Sequence, residues 1–238
     1  MKWGATLRGA KLDLEHWVDL LKPNPNSDAF VEHVEQDGQT LFILTSRSFE
    51  GCDNEDEVAE AAKPLIGRIN ALAYMERNCQ PVDLLAVAER DPSGRVIRQL
   101  VYAAFHAKGR SSAFSAGVAV RNGVEVKHPR KPSFVQSALA ITVEDLVKAL
   151  DRFAQAHDWL ELYKTFEVIK KVCGGKGKIA TMCGFDPAIV NNCSSNINLN
   201  RHHETKHDLP SEIWSFSETK TVVGRLLRAL LVRQLSQQ

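Results

Sequence analysis

Phe30-Val-Glu-His-Val-Glu35 and Thr40-Leu-Phe-Ile-Leu-Thr45, set either side of Asp37-Gly38, decide the fold class of the first half of this 238-residue chain. Aspartate and glycine both tolerate positive φ, so the pair suits the tight turn of a β-hairpin and the two runs read as its strands. Upstream, Leu14, Trp17, Val18 and Leu21 recur at helical spacing, with Asp13 the expected N-cap and Pro23 and Pro25 the expected stop. Downstream, a helix is predicted from about Glu55 to Arg77 on the stripe Val58, Ala62, Leu65, Ile69 and Leu72. Asp53 and Asp56 suit its positive end, and Pro64 should kink it or delay its start.

Three further runs are rich in apolar and β-branched residues: Val82 to Glu89, Arg95 to His106 and Ala113 to Val120. Turn signals at Asp91-Pro-Ser-Gly94, Lys108-Gly109 and Asn122-Gly123 separate or follow them, which predicts a short antiparallel meander. Composition then shifts at Lys127-His-Pro-Arg-Lys-Pro132, and nothing beyond it reads as strand. Thr142 with Asp145, Asp158 with Glu161, and Ser215 with Glu218 resemble helix caps. Leu146, Val147, Leu150 and Phe153 follow the first, and Trp159, Leu162, Tyr163, Phe166 and Ile169 the second. Val223, Leu226, Leu227 and Leu230 follow the third. Gly174-Gly175 should end the second of these helices, with Gly-Lys-Gly-Lys178 as its basic C-cap. Asp186-Pro187 suits the start of a short helix, and Asn191 to Asn200 reads as a polar stretch. The expected architecture is α+β: an N-terminal antiparallel sheet with helices over residues 1–126, a linker at 127–132, and a C-terminal all-α bundle over 133–238.

Composition narrows the function classes. With 30 basic and 29 acidic residues the formal net charge is +1, which argues against a general electrostatic grip on nucleic acid and leaves room for a local basic site. No window approaches the ~20 apolar residues of a membrane span, and the N-terminus has no signal-peptide core. Five cysteines, Cys52, Cys79, Cys173, Cys183 and Cys193, read as reduced thiols of a cytoplasmic protein. Their spacing offers no Cys-x-x-Cys pair, and neither a metal nor another cofactor is expected, the H-E-x-x-H spelling of His203-Glu204-Thr-Lys-His207 being the feature that points the other way.

The densest chemistry lies in Arg201-His-His-Glu-Thr-Lys-His207. An arginine prefers phosphate or carboxylate, and a histidine moves protons near neutral pH. The segment resembles the motif of the HEPN superfamily, an arginine followed by a polar residue and, several positions on, a histidine: here Arg201, His202 and His207. That resemblance implies a small helical domain with metal-independent ribonuclease activity, whose arginine and histidine meet across a dimer. Arg201, His202 and His207 would be catalytic, and Lys164, His203 and Lys206 would bind substrate. A wider resemblance, to a group of bacterial proteins with a mixed first half and a helical second half, rests on four features. They are Asp158-Trp-Leu-Glu-Leu-Tyr-Lys-Thr-Phe-Glu-Val-Ile169, Gly174-Gly175, Arg201-His202 and the closing Val223-Gly-Arg-Leu-Leu-Arg-Ala-Leu230. The group carries no activity over, and His207 does not clearly recur in it. The expected function is therefore an RNA-cleaving or RNA-binding homodimer of a bacterial defence or toxin type. The alternative is a non-enzymatic module that dimerises or docks a protein partner, its arginine and histidines a polar loop.

Overall fold

A computed structural model describes residues 2–24, 27–36, 38–101, 120–121, 124–125, 133–201 and 209–237. The candidate linker 127–132 and the predicted strand Ala113 to Val120, its last residue excepted, lie outside them. The chain forms β1 (Trp3–Arg8), α1 (Lys11–Leu20), β2 (Ala29–Gln36), β3 (Gln39–Ser46), α2 (Glu55–Arg77), β4 (Asp83–Arg90) and β5 (Val96–Val101). A two-stranded ladder of β6 (Val120–Arg121) and β7 (Val124–Glu125) follows. The helices α3 (Phe134–Leu139), α4 (Glu144–Ala154), α5 (Trp159–Val172), α6 (Lys176–Cys183), α7 (Pro187–Arg201) and α8 (Phe216–Leu235) complete it. The class is α+β, as the sequence predicts.

Two compact units divide the chain: Met1–Ala59 with Gln80–Gln136, and Glu60–Cys79 with Ser137–Gln238. The first holds an antiparallel sheet of order β2-β3-β1-β4-β5. The hairpin around Gly38 (φ +75°) pairs Ala29 with Ser46 through to Gln36 with Gln39. The turn before β5 forms as its sequence dictates. Asp91 Oδ1 accepts from the Ser93 and Arg95 amides at 2.9 and 3.0 Å, and Gly94 takes φ +87°.

The central strand β1 is the element the sequence conceals. Trp3 to Leu7 are all buried, so there is no alternation to see. Gly4 has no Cβ for a packing reason: one built there would meet Ile43 Cγ2 at 2.5 Å. Across this sheet Arg90, only 8% exposed, gives Nη1 to Glu32 Oε1 at 2.6 Å and Nε to the Gly94 carbonyl at 2.8 Å.

Three local expectations are corrected. Asp13 is not the N-cap of α1; Ala10 is, and Asp13 sits in the first turn accepting from the Gln80 amide at 3.0 Å. Thr142 does not cap α4, which follows Val143 with no side-chain cap. Pro64 does not delay α2, which starts at Glu55; the N–H it lacks would have bonded the carbonyl of Glu60, an exposed residue that water can reach.

The second unit is helical. Its core includes Ile69, Leu72, Leu150, Phe153, Leu162, Phe166, Ile169, Ile197, Leu226 and Leu230, each 3% exposed or less. The predicted capping box of α8 is complete: the Glu218 amide donates to Ser215 Oγ, and Glu218 Oε2 accepts from the Ser215 amide at 2.7 Å. Gly174 (φ +71°) and Gly175 (φ +123°) stop α5, and Lys176 then begins α6, a helix where the sequence reads only a basic cap. Arg68 bridges α2 to Asp151 of α4 at 2.5 and 3.0 Å. Among the described residues no helix is long and apolar enough to cross a membrane.

Candidate functional site

The polar stretch Asn191 to Asn200 is helix α7, and its polarity is structural. Asp186 Oδ1 accepts from the Ala188 amide at 2.8 Å and Pro187 takes the first helical position. Val190, Cys193 and Ile197, at i, i+3 and i+7, turn into the core. Asn192, Asn196 and Asn200 recur every four residues and form a second stripe. Asn196 is fully buried; its Nδ2 donates to the Asn192 and Glu212 carbonyls at 3.0 and 2.8 Å, and its Oδ1 accepts from the Trp214 amide at 2.8 Å. Asn192 Oδ1 accepts from Ser211 Oγ and the Glu212 amide at 3.0 and 3.1 Å, while its Nδ2 reaches the Glu212 carbonyl at 3.0 Å. Asn200 Nδ2 donates to the Asn196 carbonyl at 2.9 Å. Two asparagines thus grip residues 211–214 against the helix that ends in Arg201.

Arg201 is the last residue of α7 and is half-buried. Its guanidinium carbon lies 3.6 Å from the centroid of the Tyr163 ring on α5. Stacking uses the face of a guanidinium, while its N–H donors lie in the plane of the group. Helix α5 does therefore run beside Arg201, starting from Asp158, whose Oδ1 accepts from the Glu161 amide at 2.9 Å. Lys164, on the same helix, donates to Glu161 Oε1 at 2.5 Å, a half-exposed ion pair one turn long. His202, His203, Lys206 and His207 lie outside the described residues. Of the six expected site residues, Arg201 and Lys164 are the two whose surroundings are described.

Two groupings in the helical unit escape a reading of the sequence. Lys220 Nζ donates to the Ala156 carbonyl at 2.7 Å with the rings of Phe153, Tyr74 and Phe216 5.5, 5.6 and 6.0 Å away. Burial pulls its pKa below the ordinary lysine range. The Cys173 and Cys183 thiols hydrogen-bond each other, and Cys183 Sγ lies 3.7 Å from the Leu226 carbonyl. That contact lowers the pKa of Cys173, and together with burial it raises that of Cys183; burial alone pushes Cys193 up to about 12. Nothing in the spacing of the cysteines announces the first pair.

No protein-family model, no curated protein and no solved structure matches this chain. The class it defines by itself is an α+β protein whose helical unit presents a stacked arginine at the entrance to a histidine-rich segment.

Proposed function

We propose that the chain binds RNA at Arg201 and cleaves it without a metal, the role its Arg201 to His207 motif suggests. The observation that supports this reading most is the stack of Arg201 on Tyr163 at 3.6 Å. A guanidinium held face-on by a ring meets a phosphate with little loss of side-chain freedom. In the proposed reaction one histidine, His202 or His207, takes the proton of the ribose 2′-hydroxyl. The 2′-oxygen then bonds to phosphorus, and the bond from phosphorus to the 5′-oxygen breaks. The other histidine protonates that leaving oxygen, and Arg201 stabilises the charge on the phosphoryl oxygens. The products are a 2′,3′-cyclic phosphate and a 5′-hydroxyl. His203, Lys206 and Lys164 would contact neighbouring phosphates. The five free cysteines suit a reducing cytoplasm, and the proposed setting is a bacterial defence or toxin system.

RNA incubated with the protein under chelation tests the proposal. Wild type should cut RNA and spare the same strand carrying 2′-deoxyribose. Arg201→Ala should cut roughly 10²-fold more slowly, the scale of losing one transition-state donor, and His207→Ala should fall at least as far. Absence of cleavage, or equal rates for wild type and both variants, removes the enzyme.

A second reading, a non-enzymatic dimerisation module, has one observation of its own. Leu209 and Ile213, which follow the histidine-rich segment, are 71% and 79% exposed, and Ile213 lies within the stretch gripped by Asn192 and Asn196. Large apolar side chains presented by a fixed segment suit a partner surface. Sedimentation and chelator-resistant RNA cleavage of wild type and Ile213→Asp, measured together, separate the two readings: a module loses its dimer and neither protein cuts RNA, whereas cleavage by wild type marks the enzyme.

A further inference from the structure

Within the helical unit, a groove of about 660 Å³ lies between the last turn of α2 and the middle of α8. Its walls carry three guanidiniums, Arg77, Arg225 and Arg228, against one carboxylate, Glu76, together with the rings of Tyr74 and Phe185. Each wall is held in place. Arg228 gives both Nε and Nη2 to Glu76 Oε2 at 3.0 and 2.8 Å, which fixes it in the groove. Tyr74 is tied by its hydroxyl to Thr221 Oγ1 at 3.0 Å. Arg225 is exposed and lies over Phe185, with its guanidinium carbon 5.3 Å from the ring centroid. Gly224 forms part of the lining, and a Cβ there would press on Phe153 Cζ at 2.9 Å.

The carbonyl end of α2 draws a cation, and Arg77 in its last turn answers that need. It does not account for Arg225, which no carboxylate pairs among the described residues. The geometry points to a binding site for a small phosphate monoester carried on a flat ring. The phosphate would take the edge donors of Arg225, whose fork matches a tetrahedral oxyanion better than a lysine would, with the charge of Arg228 beside it. The ring would stack on the guanidinium and aromatic faces of Arg225, Phe185 and Tyr74. The volume suits a ligand of that size, since small-molecule sites span roughly 300–1,000 Å³. This site is separate from Arg201 and goes beyond the RNA-cleaving proposal.

Calorimetric titration of the full chain with phenyl phosphate, adenosine monophosphate and inorganic phosphate tests it. At least one of the two ring-bearing esters should bind, with inorganic phosphate roughly tenfold weaker, the share of one stacking contact. Arg225→Gln, at an exposed position, should weaken the ester about tenfold with an unchanged melting temperature, the loss of one charge-assisted contact. Arg233→Gln, exposed on the same helix and outside the groove, should bind as wild type does. Failure of both esters to bind, equal affinity for inorganic phosphate, or an Arg225→Gln variant with wild-type affinity each overturns the site. Arg201→Ala should leave ester affinity untouched, and Arg225→Gln should leave chelator-resistant RNA cleavage untouched, so the two proposals fail separately.

Discussion

The sheet of the first unit and residues 211–214 of the helical unit satisfy their polar groups in opposite ways. In the sheet, strand pairing satisfies the backbone, and Arg90 crosses the strands to tie Glu32 to the turn at Gly94. In the helical unit, residues 211–214 run as irregular chain with no ladder of their own, and their backbone groups are answered by the side chains of Asn192 and Asn196. Buried backbone must be paired somewhere. A regular element does this from within, whereas an irregular one borrows from a neighbour. Borrowing fixes position as well as energy, because an amide has one orientation that satisfies all its partners. The region so fixed adjoins the histidine-rich segment on both sides in sequence.

The largest effect expected from this contrast is at Asn196. Asn196→Leu fills a similar space and removes the partners of the Trp214 amide and, in part, of the Glu212 carbonyl. Each orphaned buried group costs about 1–3 kcal/mol, so a loss of roughly 3 kcal/mol in urea unfolding is expected. RNA cleavage should fall as well, while a variant on the opposite face of α7 such as Asn191→Ala, exposed, changes neither. A loss under about 1 kcal/mol would show that residues 211–214 hold themselves in place and would dissolve the contrast.

Arg90→Met is the matching change in the sheet. It leaves Glu32 and the Gly94 carbonyl without their guanidinium. Breaking a fully buried ion pair costs about 3–5 kcal/mol; Glu32 is one-third exposed and can take up water, so about 2 kcal/mol is expected. The sheet should keep its register, because backbone pairing rather than Arg90 sets it. Amide exchange that spreads from the Arg90 turn into β2 and β3 would contradict that, and would make the two units alike.

The same contrast explains what could be read in advance. The hairpin at residues 29–46 was legible because Asp37-Gly38 and its flanking runs carry a local rule, and so were the stops at Gly174-Gly175 and the box at Ser215 and Glu218. Strand β1 was not, because Gly4, Ala5 and Thr6 are small residues chosen by their neighbours across the sheet and show no period of their own. The start of helix α7 was legible at Asp186-Pro187, but its length was hidden by its asparagines, which favour turns in isolation and here serve a segment some twenty residues away. Its apolar stripe, Val190, Cys193 and Ile197, was the available signal. Arg201 was singled out by residue type, but its stack on Tyr163 is a tertiary contact across 38 positions that no local pattern encodes. The cage around Lys220 is of the same kind.

Lys220 gives the smallest effect and the sharpest sign. An ordinary lysine titrates near 10.5, and burial among Phe153, Tyr74 and Phe216 holds this one lower. Below its folded-state pKa both folded and unfolded chains carry the proton, and the folded state bears the whole cost of a desolvated charge. Between that pKa and 10.5 the folded protein releases the proton while the unfolded chain keeps it, and the cost disappears. Stability due to this group therefore rises with pH. Lys220→Met removes the titration, so the melting temperature of wild type minus that of the variant should grow more positive as pH rises toward the ordinary lysine pKa. A difference that stays level would mean that three ring faces and the Ala156 carbonyl hold the ammonium as well as water does. The helical unit would then satisfy a buried charge as completely as it satisfies its buried amides.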